Sequence, residues 1–453
     1  MELEVIDILL IVLYFLTVLV IGVISGRKES SEEYLISARR LNVISGISTM
    51  NATKTGAIIM AYTSLVFLYG VSAIWYFIGT FLGYLIFIPF AIRVYRQSKK
   101  KQYTLAEYFY KNYGSINGYL SNILTIIIMG GFLVVNLTAA SKVFGFFTGM
   151  SFLKSTILII IIIVAYLLLG GFSAVVKTDF IQYITIFAII IITSLSLVFG
   201  NNSIGSFSFS ILDFGFKNLA SFLLLGIFFP FASPDLWQRV HAMPDTRTLK
   251  RSVLFSSFVY LIFGIILTYI ALTVRSSFPS INPDIAFVKG LSAMLPYGLL
   301  GLLAVLLISA FMSSIDTYLY TSSSAYVQNF LYNKDKSVLR KNIRYAILII
   351  GFLGMFLTLI IEDMVKSVYL TAFLVVLAIP VIVSWVKPSV RYNTLSFGFL
   401  FGILSLVIFL PFEFLSEKVD ASIVLKAILG TVFGIVLGVF YNCFTRFWNK
   451  IKS

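Results

Sequence analysis

Three charged residues lie inside long apolar segments of this sequence, and they are the first candidates for chemistry. They are Lys54, Asp179 and Asp316. A charged side chain at the centre of a membrane costs about 2.5–3.5 kcal/mol or more unless it finds a partner or water. We therefore expect Lys54 to pair with Asp316 or Asp179 and to serve as a fixed cation. The alternative is that Lys54 extends into a water-filled vestibule.

Hydroxyl groups on one apolar segment form a second set of candidates. Ser313 and Ser314 are adjacent, so a helix would direct their side chains about 100° apart. Ala310 lies about one turn earlier and can offer its carbonyl. A desolvated Na⁺ takes about five or six oxygen ligands, which hydroxyls and freed helix carbonyls supply. The segment is a candidate Na⁺ site, although serines in membrane spans also join helices by hydrogen bonds.

The segments that hold these residues are membrane spans, because the composition excludes an ordinary soluble protein. Of 453 residues, 59% are hydrophobic and only 12% are charged, against about 25% charged in a soluble domain. The formal net charge is +15, but the basic residues lie between apolar runs. We therefore expect no nucleic-acid partner. The single cysteine, Cys443, excludes an internal disulfide.

Thirteen segments are long enough to cross a membrane, which takes about 20 apolar residues. They are 5–25, 44–69, 72–95, 116–146, 152–170, 175–199, 216–237, 252–274, 298–326, 343–361, 365–386, 395–413 and 421–444. With the amino terminus outside, 25 of the 34 Lys and Arg residues fall on the inner side, as the positive-inside rule requires. We predict an all-α multi-pass protein of the cell membrane, with its amino terminus outside and its carboxyl terminus in the cytoplasm.

Two of the predicted spans are interrupted by polar residues or prolines. The second contains the polar patch 51–56, and the seventh contains Pro230 and Pro234. These spans are five apart and opposite in orientation, which is typical of a five-plus-five inverted repeat with broken first helices. A proline kink and a packing glycine would be a plainer interpretation. The predicted units are 1–43 for the first span and its loop, 44–210 and 211–390 for the two repeats, and 391–453 for two accessory spans.

Three motifs follow one another in a specific order along the chain. Gly170–Gln182 has a Gly-Gly turn, Ala-Val, Thr-Asp and Gln, Ser233–Arg239 ends in Gln-Arg, and Ala310–Ser314 precedes the hydroxyl-rich run Thr321–Ser324. In this order they resemble the signatures of the solute:sodium symporter family, with weaker agreement at Asn136–Thr138. With the span count, the resemblance covers nearly the whole chain.

The resemblance implies a LeuT-type fold and a conserved sodium site. In the family, positions matching Ala310, Ser313 and Ser314 bind Na⁺ together with carbonyls of the first broken helix. Those carbonyls carry over to Asn51 and Lys54.

Lys54 departs from the family pattern, which usually has an uncharged residue at this position. An ammonium beside a sodium site would repel the ion. Family members with a second sodium site use the position of Asp179 and hydroxyls where Asp316 and Thr317 stand. The resemblance thus leaves two possibilities, a bound Na⁺ or a cation supplied by Lys54.

The resemblance also implies where the solute binds. In this fold the solute lies between the two broken helices, and Phe229 matches an aromatic that acts as an inner gate in sugar-transporting relatives. The candidate solute contacts are Thr53, Thr55, Asn136, Phe229 and Ser233.

These observations predict a secondary active transporter that imports a small organic solute by alternating access, coupled to Na⁺. We expect no organic cofactor, no obligate protein partner and no catalysis, with membrane lipid around the spans. One alternative is a sodium-independent or proton-coupled transporter of the same fold, in which Lys54 replaces the bound Na⁺. A remote alternative is a polytopic membrane enzyme, which the poor supply of Asp and His disfavours.

Overall fold

The computed structural model describes residues 5–26, 39–98, 104–200, 215–295, 299–331, 335–416 and 422–452, and these contain helices but no strands. The α-helices are α1 Val5–Gly26, α2 Val43–Tyr69, α3 Trp75–Ser98, α4 Leu105–Thr148, α5 Phe152–Phe199, α6 Phe216–Ala232, α7 Pro234–Ala242, α8 Thr246–Ser277, α9 Ala286–Met294, α10 Leu300–Phe330, α11 Lys336–Ile361, α12 Met364–Ser367, α13 Phe373–Val386, α14 Tyr392–Leu415 and α15 Ser422–Lys452. Short 3₁₀ helices span Gly70–Ile74, Pro283–Ile285 and Val368–Ala372.

Nine helical segments in the described ranges are long and apolar enough to cross a membrane, or ten with one bent pair. Two of them contain two predicted spans each. The α5 helix has 48 residues, or roughly 72 Å, while the hydrocarbon core is about 30 Å thick. Val43–Ser98 has 56 residues and is interrupted by a 3₁₀ turn. With α1 as a further span, each of the thirteen predicted segments coincides with helical residues in the described ranges.

Glycines bend the longest helices. Gly171 has φ 53° and ψ −151° inside α5, a conformation that costs other residues about 1–3 kcal/mol. Gly114 has φ 86° inside α4. The second glycine of the Gly-Gly motif thus redirects α5, and Asp179 lies two turns beyond the bend with no solvent exposure.

The predicted break in the seventh span is confirmed. The α6 helix ends at Ala232 and α7 begins at Pro234, with a 42° bend between them. Proline suits the first position of a helix, because its missing N–H would have no partner there. The indole Nε1 of Trp237 donates to the carbonyl of Phe231 at 2.9 Å, which ties the two halves together across the break.

The predicted interruption of the second span is wrong, because α2 runs continuously from Val43 to Tyr69. The polar patch lies inside this helix, and neighbouring helices bind its backbone. The N–H of Gly56 donates to Ser314 Oγ at 3.2 Å, and the N–H of Ala57 donates to Asn136 Oδ1 at 2.6 Å. Side chains of α4 and α10 therefore satisfy backbone groups of the patch while the helix keeps its course.

The α10 helix lies at the centre of the bundle, packed against α2, α4, α5 and α11. Its most apolar stretch is 89% buried, so its hydroxyl groups face other helices. The α14 and α15 helices pack against each other and expose large apolar residues, among them Leu404 and Phe433. This arrangement places polar chemistry inside the bundle and apolar side chains towards lipid.

Candidate functional site

Oxygen atoms converge where α2 packs against α10. The hydroxyl of Ser314 lies 3.0 Å from the carbonyl oxygen of Thr53 and 3.1 Å from that of Ala310. Tyr318 also donates to the Thr53 carbonyl, at 2.7 Å. The structure therefore brings two predicted ion-binding residues, Ala310 and Ser314, against the polar patch of α2. The α2 carbonyl at this contact is that of Thr53, whereas the family resemblance points to those of Asn51 and Lys54.

Ser313 belongs to a second cluster, because adjacent residues point in different directions from a helix. Its hydroxyl donates to Asp179 Oδ1 at 2.6 Å. The other carboxylate oxygen of Asp179 accepts from Arg239 Nη2 at 3.2 Å and from the hydroxyl of Thr49. Arg239 also donates from Nε to Thr49 Oγ1 at 2.8 Å and from Nη2 to Thr317 Oγ1 at 3.0 Å. Both charged side chains are fully buried.

Arg239 makes further contacts at the break between α6 and α7. Its Nη1 donates to the carbonyl of Asp235 at 3.1 Å and lies 3.9 Å from that residue's carboxylate. The same carboxylate accepts from the hydroxyl of Ser233. One guanidinium thus connects α2, α5, α7 and α10, and every partner is a neutral oxygen or an acid.

The ion pair expected for Lys54 is not formed in the described part of the chain. Asp179 is paired with Arg239, and Asp316 Oδ2 accepts from the hydroxyl of Tyr166 at 2.6 Å. Lys54 lies on a different face of α2 from Thr49, the α2 residue that contacts Asp179. Arg239 pairs with Asp179 and so takes the role expected of Lys54.

Lys54 instead faces aromatic rings beside a cavity. Its Nζ lies 4.2 Å from the centre of the Tyr84 ring and 5.1 Å from that of Phe229. The cavity has about 1230 Å³ of empty space, part of it open to the outside, between α2, α4, α6, α8 and α10. The residues that line it include Tyr62, Phe132, Tyr260 and Tyr318.

Only two of the five candidate solute contacts line this cavity, namely Asn136 and Phe229. The amide of Asn136 is occupied, because Oδ1 accepts from Ala57 N–H and Nδ2 donates to the Phe132 carbonyl at 2.8 Å. The remaining candidates lie within helix contacts. Thr55 donates to the Ala52 carbonyl at 2.7 Å, Ser233 binds Asp235, and the carbonyl of Thr53 binds Ser314.

The sequence did not predict several residues of these sites. Thr49 and Tyr166 hold the two buried acids, while Tyr84 and Tyr318 surround Lys54 and the oxygen cluster. The Gln-Arg ending of the second broken helix was the one available signal for Arg239. Nothing in the local sequence distinguishes these three tyrosines from the other 22 among 25.

Known structures share the architecture of this chain. A Na⁺-coupled sialic acid symporter, solved in a substrate-bound outward-open state, matches with TM-score 0.75 and 15% identity, over 96% of this chain and 98% of that one. Mhp1, a nucleobase-cation-symport-1 family transporter solved in a closed conformation with bromovinylhydantoin bound, matches with TM-score 0.56 and 11% identity, over 93% and 97%. The all-helical, LeuT-type fold is thus confirmed.

Sequence comparison then identifies the family. The model of the sodium:solute symporter family matches residues 34–389, and the chain belongs to this family. It is 25% identical to the osmoregulated proline transporter OpuE of Bacillus subtilis (strain 168) over 343 residues, which are 70% of this chain and 69% of the relative. It is 28% identical to a sodium/proline symporter of Staphylococcus aureus (strain JH9) over 210 residues, 44% of this chain and 41% of that relative. The protein is a multi-pass secondary transporter of small solutes.

Proposed function

We propose that this protein imports a small organic solute by alternating access, driven by the co-transport of Na⁺. The observation that carries the proposal is the group of oxygens at the contact between α2 and α10. The hydroxyl of Ser314 lies 3.0 Å from the carbonyl oxygen of Thr53 and 3.1 Å from that of Ala310. Oxygens of this kind are the ligands that hard cations prefer.

The position of these oxygens suggests how ion and solute are coupled. Thr53 is next to Lys54, which lines the cavity, so ion and solute would bind to the same turn of α2. A Na⁺ bound there would hold α2 against α10. An ion or solute shifts a conformational equilibrium only by its difference in affinity for the two states. If both ligands bind to one turn of α2, the affinity for one ligand would depend on whether the other is bound.

One observation favours the sodium-independent alternative, with a different residue as the fixed cation. Arg239 Nη2 lies between Asp179 Oδ2 and Thr317 Oγ1, at 3.2 and 3.0 Å. These are positions at which relatives with a second sodium site bind the ion. Arg239, rather than Lys54, would then be the fixed cation, and the coupling ion would be limited to the oxygen cluster around Ser314 or be dispensable.

We further infer that the amino terminus is outside, the carboxyl terminus is cytoplasmic, and the repeats are 44–210 and 211–390. The distribution of Lys and Arg supports the orientation. The position of the α6–α7 break, five predicted spans after the polar patch of α2, supports the repeats. The protein would perform no covalent chemistry, since the buried acids Asp179 and Asp316 are engaged with Arg239 and with the hydroxyl of Tyr166.

Thermal unfolding of the purified protein in NaCl or choline chloride tests the coupling ion. We expect Na⁺ to raise the melting temperature by several degrees, because a ligand that binds only the folded state stabilises it. Ser314→Ala should abolish this shift. Ser324→Ala is a matched control, since Ser324 is a buried serine on α10 that donates to the carbonyl of Thr321.

Transport itself is measured in proteoliposomes with an inward Na⁺ gradient, using a panel of labelled solutes that includes proline. We expect accumulation with Na⁺ and none with choline. Equal uptake in both media would overturn Na⁺ coupling and support the alternative centred on Arg239. A wild-type melting temperature that does not change with Na⁺ would likewise overturn Na⁺ coupling.

A further inference from the structure

We propose that the transported solute is an organic anion with an apolar body, whose single carboxylate pairs with Lys54. The inference rests on the proposed transport function and names the substrate class of its cavity. Its basis is the charge of Lys54 at the cavity wall, the unpaired hydrogen-bond donors of its ammonium and the apolar nature of the rest of the wall.

Lys54 is the one charged residue among those that line the cavity in the described part of the chain. The nearby buried acids are engaged elsewhere. Asp179 is paired with Arg239, Asp235 accepts from Ser233 and approaches Arg239, and Asp316 accepts from Tyr166. The described residues that line the cavity therefore present a single positive charge, and no protein carboxylate among the described residues forms an ion pair with it.

The ammonium of Lys54 also has no hydrogen-bond partner among the described residues. Lys54 is only 5% exposed, and its Nζ lies over the rings of Tyr84 and Phe229. Ring faces attract a cation but accept no full hydrogen bond. A buried ammonium has three donors to satisfy, and leaving them unpaired is costly. An acceptor with negative charge, entering from the cavity, would remove this deficit.

Three other polar residues of the wall are already hydrogen-bonded. The hydroxyl of Tyr62 binds Thr268 at 2.5 Å, that of Tyr318 donates to the Thr53 carbonyl, and the amide of Asn136 binds two backbone groups. A solute with several hydroxyl groups would find few free partners. The wall is otherwise aromatic and aliphatic, which suits an apolar body.

The same features disfavour other classes of solute. A neutral solute would bury Lys54 without satisfying its charge. A zwitterionic amino acid would bring its own ammonium into a wall that holds a cation and no carboxylate. Proline, for which the two bacterial relatives are named, is therefore expected to bind more weakly than a monocarboxylate of similar size.

The test is thermal unfolding of the purified full-length protein in NaCl with matched sets of probes. Each set contains a carboxylate, its primary amide and the corresponding amino acid. Two sets are propionate, propionamide and alanine, and 3-methylbutanoate, its amide and leucine. The other two are 3-phenylpropionate, its amide and phenylalanine, and cyclopentanecarboxylate, its amide and proline. We expect at least one carboxylate to raise the melting temperature, and its amide and amino acid to have little effect.

Substitution of Lys54 then connects the effect to this residue. Lys54→Met should weaken carboxylate binding about tenfold or more, because a close charge pair is lost, and Lys54→Arg should retain it. Without ligand, Lys54→Met should melt at the wild-type temperature or higher, because an unpaired buried cation has been removed. Lys250→Met, at an exposed position on α8, is the control and should behave as wild type.

The inference is overturned if amides or amino acids stabilise the protein as well as the carboxylates do, if Lys54→Met binds carboxylate normally, or if no probe binds. The response to Na⁺ without any solute separates this result from the proposed function. A Na⁺ shift without carboxylate preference overturns the substrate class alone. A carboxylate shift without a Na⁺ response supports the substrate class and overturns only sodium coupling.

Discussion

Arg239 is a fully buried guanidinium that binds four helices at once. Its planar group has five N–H donors in a fixed arrangement, and they reach Thr49, Asp179, Thr317 and the carbonyl of Asp235. Lysine could not serve this geometry, since its ammonium is a compact charge on a flexible stem. Arg239 therefore connects helices, whereas Lys54 remains available to a ligand.

The Arg239 network predicts a large stability effect at the residue scale. Asp179→Asn leaves a buried guanidinium without its full charge partner, so we expect a loss of about 3–5 kcal/mol. Arg239→Met should cost a similar amount, and the double variant should be less destabilised than the two single effects combined. Denaturant or thermal unfolding of the purified protein measures this double-mutant cycle.

Asp245→Asn is the matched control for removing an acid. Asp245 is exposed and caps α8 by accepting from the N–H groups of Arg247 and Thr248. Asparagine caps a helix about as well as aspartate, so this change should have little effect. Equal losses from Asp179→Asn and Asp245→Asn would contradict a dominant role for the buried pair.

At the scale of helices, the contact between α2 and α10 depends on a glycine. A Cβ atom on Gly56 would lie 2.3 Å from Asn136 Oδ1, 2.5 Å from Ser314 Oγ and 2.8 Å from the Ala310 carbonyl oxygen. Each of these distances is shorter than a van der Waals contact. Gly56 thus allows the backbone of α2 to approach the oxygens of α4 and α10 closely enough for direct hydrogen bonds.

Gly56→Ala should therefore separate α2 from α10 and weaken the response to Na⁺. We expect the melting temperature of the ion-free protein to fall, and the extra stabilisation by NaCl over choline chloride to be largely lost. Gly130→Ala is the control, because a Cβ there would have no neighbour within 4 Å. If Gly56→Ala kept the full Na⁺ response, the proposed ion site would not be at this contact.

At the scale of the whole molecule, the charge distribution predicts the orientation of the bundle. Lys250 near the start of α8 belongs to the predicted cytoplasmic side, and Lys289 on α9 belongs to the outer side. Both side chains are exposed. Lys250 is in the second turn of α8 and Lys289 lies beyond its end, and α8 has 32 residues, which is long enough for one crossing.

Cysteine labelling in intact cells tests this orientation. In a Cys443→Ala background, Lys289→Cys should react with a membrane-impermeant maleimide, and Lys250→Cys should react only after the cells are opened. The reactivity follows from which side of the membrane each thiol faces. The reverse pattern would invert the predicted topology, and labelling of both positions from outside would contradict a crossing by α8.

The membrane class, the helices and the family could be predicted from sequence, because each depends on local composition or on an ordered set of motifs. Apolar runs of sufficient length must be helical in lipid, and Pro230 and Pro234 predict the break between α6 and α7. The pairing of Lys54 could not be predicted, since it depends on which face of α2 meets which neighbour. The continuity of α2 also depended on neighbours, because Ser314 and Asn136 bind its backbone.

Composition alone was sufficient to show that the charged residues inside the apolar segments must be the informative ones. Their roles were assigned only by tertiary contacts. Asp179 and Arg239 are 60 residues apart in sequence and 3.2 Å apart in space, while Lys54 is turned towards an aromatic cavity. A buried charge takes its function from the partner that satisfies it, and packing of distant helices selects that partner.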